Sequence, residues 1–171
     1  LPILSDLEQL NFSGADVIID ALLGSGLNKP LQGDYEKLAK LINSSKADVV
    51  SVDVPTGFNS EGEIATDYNG VKADLTICFQ LPKINFFFPE RIKALQEFMV
   101  VPIGLNEDYI QSLPTPWKLI DDAFVRETLK PRAAFSHKGT YGHALIVAGD
   151  TQTMGAALLA TKACLNAGAG L

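Results

Sequence analysis

Hydrophobic positions in this chain fall into short, nearly unbroken runs, each closed by turn-forming residues. Residues 16–23 (Asp-Val-Ile-Ile-Asp-Ala-Leu-Leu) end in Gly24-Ser-Gly26, and residues 47–54 (Ala-Asp-Val-Val-Ser-Val-Asp-Val) in Pro55-Thr-Gly57. Residues 73–79 run into Gln80-Leu-Pro82, and residues 98–103 into Gly104. Runs of this length, rich in β-branched residues, predict strands buried on both faces. Between the first two runs, Tyr35, Leu38, Leu41 and Ile42 stand at i, i+3, i+6 and i+7, with Asp34 ahead of them. That spacing predicts an amphipathic helix with an acidic first turn. Strands alternating with helices imply an α/β fold with a parallel sheet covered on both faces.

The pattern changes after Gly104. Residues 105–118 are polar, carry two prolines and keep no period, which predicts a linker. A short helix over 121–129 then opens a second unit. In it a polar loop, Ser136-His-Lys-Gly-Thr-Tyr-Gly-His143, leads into a predicted strand over 144–148. Gly149 to Gly155 turns the chain into an Ala- and Leu-rich helix over 156–167. The expected division is therefore 1–104, a linker at 105–120, and 121–171.

Composition narrows the functional classes. Of 171 residues, 47% are hydrophobic and 20% charged, enough apolar surface for a packed core. Fourteen basic against twenty acidic side chains leave a net charge of −6, which argues against nucleic acid or an anionic membrane surface as partner. The two cysteines, Cys78 and Cys164, lie far apart in apolar settings and read as core thiols of a reducing compartment. No apolar run is long enough to span a bilayer and no signal segment opens the chain, so a cytoplasmic location is expected. The chain begins at Leu1 and stops at Leu171 within Ala-Gly-Ala-Gly-Leu, and it reads as an internal piece of something longer.

Three constellations carry candidate chemistry. In the first, Asp20 lies late in an apolar run, where an ionised carboxylate is costly unless a cation or several donors offset it. The glycines of Gly24-Ser-Gly-Leu-Asn-Lys-Pro30 let backbone N–H groups approach an anion, and Lys29 offers a charge to a phosphate. The competing reading makes Asp20 a turn cap and the glycines a simple bend. In the second, Asp53 ends another strand just before Pro55-Thr-Gly57, and ligands of open parallel sheets bind beyond the carboxyl ends of strands. Asp20 and Thr56 together would make a hard, oxygen-rich cation site. An Asx-type turn with Thr56 as helix cap accounts for the same residues. In the third, the glycines around 139–142 and 149–156 lack both dinucleotide and phosphate-loop signatures and by themselves read as packing more than binding. His137 and His143 have no cysteine or further histidine nearby and read as loop residues. Phe86-Phe-Phe88, without interleaved basic residues, reads as core or interface.

In order, Asp20-Ala-Leu-Leu-Gly-Ser-Gly-Leu27, Ser51-Val-Asp-Val-Pro-Thr-Gly57, Lys72-Ala-Asp-Leu-Thr76, Lys83 and Val101-Pro-Ile-Gly104 resemble the latter part of the NAD(P)H-hydrate epimerase domain. Residues 121–171, with Lys138-Gly-Thr-Tyr-Gly-His143 and Gly155-Ala156, resemble the opening of the ADP-dependent NAD(P)H-hydrate dehydratase domain. The resemblance implies a three-layer Rossmann-like epimerase domain followed by the start of a ribokinase-like α/β domain. It also implies repair of hydrated nicotinamide cofactors: epimerisation of R- and S-NAD(P)HX, then dehydration of the S form with ADP, or ATP in some members.

Carried over by position, the resemblance makes Asp20 and Thr56 potassium ligands. It makes Gly24, Ser25, Gly26, Leu27, Asn28, Lys29 and Pro30 the loop on the substrate, and Asp53 a substrate-binding carboxylate suited to proton transfer. Ala156 becomes a dehydratase contact. Lys29 stands where family members usually carry Arg, keeping the charge but losing the bidentate fork. The Asn-Asn-Gly-Gly-Asp-type and Gly-Thr-Gly-Asp-type loops of the two domains have no counterpart here, so this polypeptide alone is expected to lack both complete active sites. A ribokinase-like phosphotransferase and a non-catalytic nucleotide-binding scaffold are the alternatives. A homo-oligomer is compatible with the sequence.

Overall fold

The computed structural model describes Leu7 and residues 10–27, 29–129 and 131–171. These divide into two compact units that part between Leu113 and Pro114. In the first, four parallel strands pair in sequence order: β1 (Val17–Asp20), β2 (Asp48–Val52), β3 (Ala73–Phe79) and β4 (Leu95–Val101). Helix α1 (Gly33–Asn43) links β1 to β2, a long loop links β2 to β3, and two 3₁₀ turns (Ile84–Phe87 and Pro89–Lys93) link β3 to β4.

Strand order explains how the sheet is covered. When parallel strands are laid down side by side in one direction, right-handed connections all pass over the same face. That face carries Ile18, Asp20, Val49, Ser51, Thr76 and Cys78, all buried. Ile18 and Val49 pack with Ala39 and Ile42 of α1, and with Leu31, Val71 and Ala73. A second cluster joins Cys78 to Val54, Phe58, Phe86, Ala94 and Leu95. On the opposite face Ile19 and Met99 are 70% and 49% exposed, and Val50 and Leu75 are half-buried. Among the described residues the connections thus cover one face of the sheet, as a parallel α/β sheet with this strand order requires.

Helix α1 contains the predicted stripe positions but does not bury all of them. Ile42 is buried and Leu38 packs against the core, whereas Tyr35 and Leu41 are exposed and their place is taken by Ala39. A small side chain there lets the helix approach the sheet closely. Acidic Asp34 and Glu36 near the helix start complement its dipole. The aromatic run divides: Phe86 is buried, while Phe87 and Phe88 are about half exposed.

In the second unit, α3 (Asp122–Thr128) is capped by Asp121, whose carboxylate accepts the Phe124 N–H at 2.8 Å. Helix α4 spans Met154–Asn166. The strand predicted over 144–148 is not formed: Leu145 and Val147 are 91% and 89% exposed. An extended segment becomes a strand only by pairing with another, and no described segment of this unit offers it a ladder. Cys164, expected in a core, is only half-buried on α4, whereas Cys78 is fully buried. The span expected to be a linker contains a short helix, α2 (Glu107–Ser112), capped by Asn106. Among the described residues, no helix is long and apolar enough to cross a membrane.

Candidate active site

The strand ends converge on a buried carboxylate. Asp20 closes β1 at 1% exposure and lies directly across from Ser51 of β2. Its Oδ2 accepts the Ser51 hydroxyl at 2.8 Å and the Thr56 backbone N–H at 2.8 Å, and its Oδ1 accepts the Thr56 hydroxyl at 2.6 Å. Three donors thus satisfy a carboxylate that lies in the core, where unpaired polar oxygens would be costly. Thr56 therefore acts through Asp20 and caps no helix. Tyr68 lies alongside, donating its hydroxyl to the Val71 carbonyl at 2.7 Å. Burial, and secondarily the Asp20 charge, push the Tyr68 phenol far above its ordinary pKa.

The glycine loop after β1 is held at both ends and exposed between. At its start the Leu23 N–H donates to the Thr56 hydroxyl oxygen at 3.1 Å. At its end Asn69 imitates a strand neighbour for Leu31, accepting its N–H at 3.2 Å and donating to its carbonyl at 2.9 Å. Gly24, Ser25, Gly26, Lys29 and Pro30 are exposed, and Leu27 is half-buried against the core. Asn28 lies outside the described residues. Lys29 and Pro30 share a small pocket of about 80 Å³ with Gly57, Tyr68 and Asn69. That volume takes a few waters and no nucleotide, so a larger ligand would have to lie over the exposed loop.

Two glycines make this geometry possible. Gly57 has φ +97°, and a Cβ there would stand 2.7 Å from Gly70 Cα. A Cβ on Gly70 would strike the Tyr68 hydroxyl and the Thr56 carbonyl oxygen. The close approach lets the Val71 N–H reach the Thr56 carbonyl at 2.8 Å, fixing the turn that presents Thr56 to Asp20.

Asp53 belongs to a separate network. It lies just beyond β2 in the left-handed region, with φ 66°. Its N–H donates to the Ile77 carbonyl at 2.8 Å. Its Oδ1 accepts the Phe79 N–H at 3.2 Å and pairs with Lys83 Nζ at 2.8 Å. Both side chains of the ion pair are about four-fifths buried, at 20% and 19% exposure. Cys78 lies nearby. Burial raises its thiol pKa, the Asp53 charge adds to the rise, and Lys83 opposes it. The structure thus brings Asp20 together with Thr56 and the loop's entry, and places Asp53 with Lys83.

Sequence reasoning assigned no role to Ser51, Tyr68 or Asn69, and left Lys83 without a partner. Ser51 had a visible signal, being the one hydroxyl in the interior of a Val-rich strand. Nothing local marks Asn69, whose partner is 38 positions away.

The described residues hold no group of three or more His, Cys, Asp or Glu arranged for a metal ion. A cation near Asp20 would rest on one carboxylate plus hydroxyl and carbonyl oxygens, a donor set for a hard ion. In the second unit Ala156 stands in the first turn of α4, exposed. Ahead of it Asp150 accepts the N–H groups of Gln152 at 2.7 Å and Thr153 at 2.9 Å. The Gln152 N–H first, then the Thr153 hydroxyl and N–H, hold its carboxyl below the ordinary range.

Residues 2–85 match the family model described as YjeF-related protein N-terminus. A protein of Coxiella burnetii named bifunctional NAD(P)H-hydrate repair enzyme Nnr is 38% identical over 100% of this chain, which covers 35% of that protein. Proteins of the same name from Thermofilum pendens and Escherichia coli are 39% and 33% identical over 91% of the chain, covering 29% and 30% of their lengths. The chain spans about a third of the length of the curated relatives it matches. With its ordered strand-end motifs and this similarity, residues 2–85 of the chain belong with the YjeF-related protein N-terminus, and the chain as a whole is similar to about a third of the proteins named bifunctional NAD(P)H-hydrate repair enzyme Nnr.

Proposed function

We propose that residues 1–104 carry much of an NAD(P)H-hydrate epimerase site and that residues 121–171 open the ADP-dependent dehydratase of the same protein. In this reading the first part belongs to a three-layer Rossmann-like domain and the second to a ribokinase-like one. The observation that carries it is the convergence of Asp20 and Thr56 under the entry of an exposed glycine loop, at the carboxyl ends of parallel strands. Ligands of open α/β sheets bind at such ends. The relatives' name supplies the substrate class, hydrated NADH and NADPH.

The residues at Asp20 fit a monovalent cation. A carboxylate offers about four lone-pair positions, and three are filled here, leaving one on Oδ1. The Thr56 carbonyl accepts the Val71 N–H at 2.8 Å and stands 3.5 Å from the Tyr68 hydroxyl, whose single proton is held more closely by the Val71 carbonyl at 2.7 Å, so it keeps acceptor capacity. Bound potassium would neutralise the buried carboxylate and stiffen the turn between Thr56 and the loop. In the chain's own chemistry, exposed N–H groups of the loop and Lys29 hold the substrate's phosphates. Asp53 serves as the proton acceptor. C6 of the hydrate bears a hydroxyl and is bonded to ring nitrogen N1. The hydroxyl proton passes to Asp53 as the C6=O bond forms and the C6–N1 pair withdraws to nitrogen, which takes the proton. Closure onto the other face of the carbonyl reverses these transfers and gives the opposite epimer.

The test uses the intact protein. R-NADHX is supplied in potassium and in sodium buffer, epimer interconversion is followed by chromatography, and NADH recovery is followed after ADP is added. Interconversion favoured by potassium and recovery dependent on ADP are expected. Equal rates in the two buffers would remove the cation from the reading, and no recovery from the S form would remove the dehydratase. Asp53→Asn isolates the carboxylate, because Asn tolerates the left-handed backbone as Asp does. Wild-type epimerisation by that variant would exclude Asp53 as the acceptor.

A further inference from the structure

We propose that Lys83 is a positioning residue for Asp53, fixing which carboxylate oxygen receives the substrate's proton. The inference deepens the epimerase reading and rests on it. Among the described residues both contacts to the Asp53 carboxylate fall on Oδ1: the Lys83 ammonium at 2.8 Å and the Phe79 N–H at 3.2 Å. Oδ2 accepts no bond from any of them. Two donors on one oxygen restrain the rotation of the carboxylate and leave the other oxygen with open lone pairs.

The backbone explains why a clamp is needed. With φ 66° Asp53 sits in the left-handed region, where L-residues rarely rest. Its N–H is tied to the Ile77 carbonyl at 2.8 Å, and the next N–H, of Val54, turns back to the Val52 carbonyl at 2.9 Å. This turn throws the side chain off the line of β2 and toward β3, where Phe79 and Lys83 meet it. Lys83 follows Gln80-Leu-Pro82, the turn that closes β3, and the Phe86 N–H bonds its carbonyl at 3.0 Å. Its anchor is therefore a rigid segment whose next residues, Asn85 and Phe86, are fully buried. Surface ion pairs contribute little, but this one is largely enclosed, so its geometry persists. Lys83 also lies by the Cys78 thiol, whose pKa its charge lowers, but it touches neither the Asp20 cluster nor the glycine loop in any described bond, and the Asp53 carboxylate is its ion-pair partner.

The experiment compares wild-type intact protein with Lys83→Met, Lys83→Arg and Lys83→Ala in epimer interconversion, with folding checked by thermal melting. A displaced acceptor costs turnover and not binding. Lys83→Met should lower kcat on the order of 100-fold while KM stays within about twofold. Lys83→Arg should recover part of the rate. Lys83→Ala should regain activity when propylammonium is added, because the free cation can enter the space left by the side chain. A Lys83→Met protein with kcat within about threefold of wild type would overturn the proposal. So would loss of the fold in both Met and Ala variants, or a kcat loss restored by neither Arg nor the amine; either marks the ion pair as a strut. Wild-type protein that interconverts no epimers would overturn the epimerase reading itself, and the two failures are told apart by that control.

Discussion

Replacing Thr56 by valine preserves side-chain shape in a residue that is 1% exposed and removes only the hydroxyl. Two bonds go with it: the donation to Asp20 Oδ1 at 2.6 Å, and the acceptance of the Leu23 N–H at 3.1 Å. A hydrogen bond to a charged group contributes about 1.5–3 kcal/mol, and a part-buried N–H left unpaired costs about 1 kcal/mol more. Thr56→Val should therefore destabilise by about 3 kcal/mol. Ser51→Ala removes one bond to the same carboxylate and strands no other group, so it should cost about 1.5–2 kcal/mol. Urea unfolding followed by far-ultraviolet circular dichroism measures both. With a slope of about 2 kcal/mol/M, the valine variant's midpoint should fall by about 1.5 M and the alanine variant's by less than about 1 M. Amide exchange at Leu23 adds a local readout and should quicken in Thr56→Val only. A double-mutant cycle with Asp20→Asn should return a coupling above about 1 kcal/mol. A valine cost below about 1 kcal/mol, or no greater than that of Ser51→Ala, would refute the view that the Thr56 hydroxyl links the carboxylate to the loop.

Gly70→Ala should destabilise by at least about 2 kcal/mol, because the new methyl meets the Thr56 carbonyl and the Tyr68 hydroxyl and must push one aside. Thermal melting checks it, and a melting point within a degree or so of wild type would contradict the close packing. Tyr68 yields a pH prediction. Its phenol titrates well above the unfolded value of about 10, so the neutral form it favours stabilises the fold fully below pH about 10. That contribution is lost as pH rises past this value. In an ultraviolet titration Tyr68 should ionise only as the protein unfolds. Its reversible ionisation in folded protein near pH 10 would count against the buried setting.

The parallel sheet was legible because buried strands must be apolar on both faces, and turn residues must close each run. The runs at 16–23, 47–54 and 73–79 contain β1, β2 and β3, while β4 begins three residues before the run at 98–103. Helix α1 was legible for the same reason, although periodicity favoured Tyr35 and Leu41 over the Ala39 that the sheet requires. The run at 144–148 shows the limit of this logic, since an apolar segment records strand propensity and cannot supply its own partner. Asp20 and Thr56 were readable as a pair because both stand where strands run out into glycine turns.

Sequence by itself determined the α/β class, the order of the strand-end motifs and the residue types able to meet a hard cation or a phosphate. These follow from local periodicity and from the chemistry each side chain carries. Tertiary structure alone decided that Ser51 completes the Asp20 cluster, that Asn69 clamps the loop at Leu31, and that Asp53 faces Lys83 and not the glycine loop. The first and third depend on strand register and on a backbone turn with positive φ, the second on two loops meeting, and each joins residues some 30 or more positions apart and leaves no mark on the sequence beside them.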